Sequence, residues 1–179
     1  MQVERTKIDG LLVVTPTVHE DHRGFFFESY NEVLFKEIGI DLRWVQDNHV
    51  RSARNTVRGL HFQRGRGQAK IIRCVRGRVW DVAADIRPDS PTLGQWHAVE
   101  LSEDNKKMFF IPVGFAHGYA VLSDEAETLY KCSNVYDPEL EDGILWNDPD
   151  IAVDWPVASP LLSERDQNAQ TLRQYRKNR

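Results

Sequence analysis

Several features that would place a protein quickly are scarce here. The chain holds only two cysteines, Cys74 and Cys132, which allows at most one disulfide, between these two, as the less favoured alternative. Each lies in an apolar, strand-like run, so both are expected to be buried free thiols in a reducing compartment. No apolar run approaches the ~18 residues that a membrane-spanning helix needs. Met1-Gln2-Val3-Glu4-Arg5-Thr6 carries no apolar signal region, which predicts a cytoplasmic location with no membrane partner. Neither sign of charge dominates: 23 Lys and Arg stand against 27 Asp and Glu, a net −4. That balance offers no basis for general nucleic-acid binding, while a local cluster of basic residues could still hold a small anion. Internal repeats, low-complexity segments and linkers are also missing. The 179 residues are about one domain's worth, so a single domain over 1–179 is expected.

Helical periodicity is nearly absent as well, and short β-rich runs take its place. Leu11 to Val14, bracketed by Gly10 and Pro16, reads as a strand. Further runs cover 44–50, 56–63, 69–75, 78–86, 95–101, 107–111, 118–122 and 127–136, separated by clusters such as Arg64-Gly65-Arg66-Gly67 and Pro88-Asp89-Ser90-Pro91. About eight strands at this spacing predict an all-β, double-sheet jelly-roll barrel. Short helices are expected near the termini. Ser29 and Glu32 have capping-box spacing ahead of Val33, Leu34, Phe35 and Ile38, with Gly39 as the stop, and another helix follows Ser163. The aromatic run Phe25 to Phe27 is expected in the core.

Chemistry-bearing residues concentrate in a few of these runs. Gln46-Asp47-Asn48-His49 and Val57-Arg58-Gly59-Leu60-His61-Phe62-Gln63 alternate polar and small or apolar residues, so a strand aims several polar groups at one surface. Left unpaired inside a barrel they would cost roughly 1–3 kcal/mol each, which points to a ligand. Tyr130, Cys132, Asn134 and Tyr136 share strand parity, as cavity lining or as ordinary packing. Lys70 shares a side with Ile72 and Cys74, either snorkelling outward from a strand end or held inside as a cation. Pro112-Val113-Gly114-Phe115-Ala116-His117 has the Pro-x-Gly-x-x-His spacing of the second cupin signature. The first signature calls for His-x-His followed by Glu, and this chain reads His61-Phe62-Gln63. Two histidines without a nearby carboxylate rarely hold a divalent ion, so no metal is expected. His19, His22, His49 and His97 read as solvated.

Taken in order, these blocks resemble one family, the dTDP-4-dehydrorhamnose 3,5-epimerases. The likeness runs from Asp21-His22-Arg23-Gly24-Phe25-Phe26 through Ile144-Leu145-Trp146-Asn147-Asp148-Pro149 to Leu162-Ser163-Glu164-Arg165-Asp166. It implies a cupin-type jelly roll without metal or other cofactor, a homodimer exchanging N-terminal strands, and a dTDP-linked 4-keto-6-deoxy sugar inverted at carbons 3 and 5. It also implies roles: His61 as base, Asp166 as its orienting carboxylate, Tyr130 as opposite-face proton donor and Lys70 at the ketone oxygen. Arg23, Phe27, Glu28, Gln46, Asn48, Arg58, His117, Tyr136, Glu141 and Arg165 fall at substrate-binding positions, with Tyr136 stacking on the thymine. Relatives that invert one carbon would share His61, Lys70 and Tyr130. A question of parity follows: Arg58 and His61 are an odd number apart, so a regular strand would send them to opposite faces. Either a bulge near Gly59 reorients one, or Arg58 serves a partner subunit's site.

Overall fold

The structure, a computed structural model, describes residues 1–178. In chain order the first half runs β1 (Gln2–Arg5), β2 (Leu12–Thr15), β3 (His19–Asp21), β4 (Gly24–Phe26), α1 (Glu32–Glu37), β5 (Gln46–Ala53), β6 (Val57–Gln63), β7 (Lys70–Arg76) and β8 (Arg78–Asp85). The second half runs β9 (Trp96–Ser102), β10 (Met108–Ile111), β11 (Phe115–Val121), β12 (Glu125–Cys132), β13 (Glu141–Gly143), α2 (Glu164–Gln167) and α3 (Leu172–Lys177). The strands form a six-stranded sheet, β1-β2-β10-β7-β12-β5, and a five-stranded sheet, β13-β6-β11-β8-β9, with β3-β4 as a separate hairpin. Every ladder within these sheets is antiparallel. The expected double-sheet, all-β architecture is the one found.

Alternation along the strands builds three apolar layers. Between the sheets, Val13, Ile72, Cys74 and Ala126 from one meet Val79, Ala83, Leu101, Phe115 and Tyr119 from the other. Phe109 is fully enclosed in this layer, where truncation to alanine costs about 3–5 kcal/mol. Outside the six-stranded sheet, Leu12, Val14, Ile71, Met108 and Phe110 pack under Phe35 and Ile40. Outside the five-stranded sheet, Leu60, Phe62, Val82 and Ala116 pack under Ile144, Ile151, Leu172 and Tyr175. Apolar residues on both sides of a strand explain why runs such as Val82-Ala83-Ala84 do not alternate with polar residues. Cys74 and Cys132 are buried and free, as expected.

Four local expectations need correction. Phe25 and Phe26 are 57% and 67% exposed, because β3-β4 is a two-stranded hairpin outside both sheets and has no second layer to cover it. Asn31, not Ser29, caps α1: its side-chain oxygen accepts from the amides of Val33 and Leu34, leaving Phe35 buried and Val33 exposed. The last long strand stops at Cys132 instead of continuing to Tyr136, since its neighbours β7 and β5 start opposite it at Lys70 and Gln46. His97 is half-buried against Phe109 rather than solvated, with ring centroids 6.0 Å apart. Among the described residues, no helix is long and apolar enough to cross a membrane.

Candidate active site

The barrel interior carries one polar cluster, and a bulge in β6 helps to form it. His117 of β11 lies opposite His61, while Tyr119, two residues on, lies opposite Arg58, three residues back. The surplus residue falls around Gly59, whose φ of +126° suits glycine. A Cβ there would lie 2.5 Å from the Gly118 Cα, so the two glycines let β6 and β11 approach. The bulge resolves the parity question: His61 and Arg58 both face inward. Arg58 Nε donates to Ser52 Oγ at 3.0 Å, and Ser52 lies 3.1 Å from the Tyr119 hydroxyl inside the barrel.

His61 Nε2 lies 2.5 Å from Asp166 Oδ1, and the Asp166 side chain is only 5% exposed. Ser163 caps α2 and accepts from the Asp166 amide at 3.1 Å, fixing that carboxylate's position. Burial opposes ionisation of Asp166, but the hydrogen bond and charge of His61, with help from Ser163 and Arg165, hold its carboxyl below the usual range. With Nε2 engaged by a carboxylate, Nδ1 is the nitrogen left to exchange protons.

Lys70 points into the same interior, its Nζ 6.0 Å from the centre of the Tyr130 ring. Burial lowers the ammonium's pKa, against the opposing pull of Cys132, Asp81 and Glu141. Burial also pushes the Tyr130 phenol up to about 12, so it stays protonated and able to donate throughout the neutral range. His117 is held by Asp81, with Nε2 3.0 and 3.2 Å from the two carboxylate oxygens. Burial moves both groups towards neutrality, lowering His117 and raising Asp81, while each partly restores the other's charge.

A second set of contacts links this interior to the rim. Asn48 Nδ2 donates to Cys132 Sγ at 3.5 Å, and Gln46 Nε2 donates to Asn48 Oδ1 at 3.1 Å. Gln46 Oε1 accepts from the Tyr136 amide at 2.7 Å. The Tyr136 hydroxyl donates to Glu141, which pairs with Arg165 at 2.8 Å. The half-exposed Tyr136 ring is thereby anchored at both its backbone and its hydroxyl.

Eleven of the expected site residues therefore gather in and around one interior. Arg23, Phe27 and Glu28 do not join them within this chain. Arg23 binds its hairpin neighbour Asp21, Glu28 accepts from Asn31, and Phe27 stacks on Phe25 with Arg73 5.6 Å from its ring. Asp81, Ser52 and Tyr119 are interior polar groups that sequence reasoning missed. A signal for Asp81 exists, as a lone carboxylate within Val79-Trp80-Asp81-Val82-Ala83-Ala84. Among the described residues no group of three His, Cys, Asp or Glu side chains is placed to hold a metal ion. Gln63, at the place of the missing cupin ligand, donates instead to the Asp137 carbonyl at 2.7 Å.

This arrangement fits proton transfer beside a carbonyl. It sets an imidazole–carboxylate pair, a protonated phenol and a partly buried lysine amine around one interior. A family model described as dTDP-4-dehydrorhamnose 3,5-epimerase matches residues 5–174. The dTDP-4-dehydrorhamnose 3,5-epimerase of Escherichia coli K12 is 53% identical, covering 96% of this chain and 95% of that protein. A Legionella pneumophila 3,5-epimerase solved with dTDP-4-keto-L-rhamnose is 45% identical with a TM-score of 0.94, covering 96% and 93% of the two chains. A dTDP-4-dehydrorhamnose 3-epimerase of Streptomyces niveus is 42% identical, covering 98% of this chain and 86% of that protein.

Proposed function

Because the chain belongs to the dTDP-4-dehydrorhamnose 3,5-epimerase family, whose members are isomerases, we propose a mechanism for it on that premise. The substrate is dTDP-4-keto-6-deoxyglucose, inverted at carbons 3 and 5. A hydrogen on a carbon beside a ketone is weakly acidic because the electron pair left behind delocalises into an enolate. Inversion needs a base on one face, an acid on the other and a positive group at the developing oxyanion.

His61 takes the proton through Nδ1, and Asp166 keeps that nitrogen free and stabilises the imidazolium. The electron pair moves onto the carbonyl oxygen, where Lys70 receives it; an oxyanion donor of this kind is worth about 3–4 kcal/mol of barrier. Tyr130 then delivers its phenolic proton to the opposite face of the carbon. His61 has gained a proton and Tyr130 has lost one, and exchange with solvent resets both. The observation that carries this reading is the 2.5 Å His61–Asp166 contact, turned into the same interior as Lys70 and Tyr130.

Arg58, Gln46, Asn48, His117, Glu141 and Arg165 bind the nucleotide sugar, the arginines suiting the diphosphate, and Tyr136 stacks on the thymine. We assign Arg23, Phe27 and Glu28 to a second subunit's site in a cytoplasmic homodimer, since their position outside the barrel suits contact across an interface. Nucleic acid, membranes and cofactors have no part in this scheme.

The test is incubation with dTDP-4-keto-6-deoxyglucose in deuterated water, reading by NMR which carbons take up deuterium. Label at both carbons supports the proposal, and absence of exchange refutes it. Label at one carbon selects single-carbon inversion, the activity named for the Streptomyces niveus relative.

A further inference from the structure

Arg58 differs from the arginines around it in what it touches. Arg51 and Arg54, on the strand and turn just before it, pair with Glu125 and Asp124, and Arg165 at the rim pairs with Glu141. Among the described residues Arg58 forms no ion pair. Its guanidinium makes one hydrogen bond to protein, from Nε to Ser52 Oγ at 3.0 Å, and this leaves both Nη groups open to a ligand. Ser52 Oγ lies in turn 3.1 Å from the Tyr119 hydroxyl. Ser52 and Tyr119 are buried, at 5% and 4% exposure, whereas Arg58 is exposed. This chain of contacts crosses between the sheets twice, from β6 of the five-stranded sheet to β5 of the six-stranded sheet and back to β11. Tyr119 lies opposite Arg58 in the β6–β11 ladder because of the bulge beside Gly59.

We propose that Ser52 and Tyr119 are positioning residues for the substrate's diphosphate, acting through Arg58. The inference rests on Arg58 binding that diphosphate, as proposed above. The Tyr119 ring packs in the apolar layer between the sheets, so its hydroxyl is a fixed point. A serine side chain has three staggered wells, and the contact with Tyr119 selects the one that brings Oγ to Arg58 Nε. Because a guanidinium is planar, a bond at Nε fixes the plane in which both Nη groups lie, the fork that grips two phosphate oxygens at once. Arginine loses rotamer freedom when it grips an anion, and ordering it beforehand lowers that cost at the moment of binding. A serine that accepts from a cationic donor is also a stronger donor itself, so the bonds to Arg58 and Tyr119 reinforce each other. A carboxylate in place of Ser52 would hold Arg58 equally well but would cancel the charge that attracts the diphosphate. A hydroxyl holds it without neutralising it. If Ser52 only stitched the two sheets together, its loss would not distinguish ligands with a diphosphate from ligands without one.

The test uses Tyr119→Phe, which removes one oxygen and leaves the ring packed, and Ser52→Ala. Binding of dTDP and of thymidine to the whole protein is measured by calorimetry, and each substitution is repeated in an Arg58→Gln background. The expected result is that each single variant binds dTDP about 3–10-fold more weakly while thymidine affinity holds. In the Arg58→Gln background neither substitution should cause a further loss. With the keto sugar as substrate, KM should rise by a larger factor than kcat falls. If Ser52→Ala does not fold, Tyr119→Phe decides the matter alone. Equal weakening of thymidine and dTDP overturns the proposal, as does a loss that persists in the Arg58→Gln background, because both residues would then act on the fold and not through Arg58. Arg58→Gln by itself separates the two levels of argument. Unchanged dTDP affinity in that variant refutes the role given to Arg58. Weakened binding there, beside full dTDP affinity in Tyr119→Phe and Ser52→Ala, refutes the positioning claim and leaves the role of Arg58 standing.

Discussion

Replacing Asp166 with asparagine tests the centre of the proposed chemistry. The exchange is nearly isosteric, and the carboxylate is 5% exposed, so solvent screens its field weakly. Its hydrogen bond to His61 spans 2.5 Å, and a charge-assisted bond is worth about 1.5–3 kcal/mol. A further loss comes from the proton's position on the ring. An asparagine amide can donate to Nε2, which moves the imidazole proton to Nδ1 and blocks the atom that must act as base. Together these losses are expected to reach about 3–4 kcal/mol of barrier, or roughly 10²–10³-fold in kcat. KM should change little, because Asp166 acts through His61. The assay is the rate of deuterium uptake at each sugar carbon, followed by NMR, with circular dichroism to establish that the variant is folded. A folded Asp166→Asn enzyme within threefold of the wild-type rate would refute the reasoning. Loss confined to one carbon would do the same, by showing that a different base serves the other.

Three further outcomes are expected. Tyr130→Phe should retain exchange better than inversion, because proton abstraction survives while opposite-face delivery is lost; equal loss of the two would remove Tyr130 from that role. Asp85→Asn should destabilise the fold by about 2–3 kcal/mol near neutral pH. Burial disfavours charge on Asp85, yet bonds from Arg87, Ser90 and Thr92 bring its carboxyl down to about 2. Its folded value lies below the unfolded value of about 3.9. The contribution is therefore present above pH 4 and fades as pH falls through about 2, which urea melts across that range would reveal. Gly59→Ala should cost about 3 kcal/mol or more, lowering Tm by roughly 6–12 °C. The added Cβ would meet the Gly118 Cα at 2.5 Å and the His117 carbonyl at 2.8 Å. An unchanged melting curve would show that β6 and β11 can separate freely at this point.

Much of this molecule could be read along the chain, because a β-strand alternates and a barrel buries one side of it. Tyr130 and Cys132 share a side, as do Lys70, Ile72 and Cys74, and the strands near 57–63, 70–76, 78–85 and 96–102 lie where turn residues bracket them. Local signals were weaker wherever a contact partner is distant in sequence. The Ser29–Glu32 spacing imitated a cap that Asn31 supplies. Phe25 and Phe26 looked like core because hydrophobicity does not reveal whether another layer lies overhead. The parity of Tyr136 with Tyr130 lost its meaning beyond Cys132, where the ladder ends.

From one dimension came the all-β class, the inward side of most strands and, by resemblance, the imidazole, phenol, ammonium and carboxylate of the proposed chemistry. Those follow from residue type and a two-residue period, both written locally. Folding in three dimensions decided that Arg58 and His61 face the same interior, that His117 rests on Asp81, and that Arg23, Phe27 and Glu28 stand apart from the cluster within one chain. Each depends on how separate strands meet: a bulge changes parity only relative to its neighbour, and a buried charge finds its partner across the barrel.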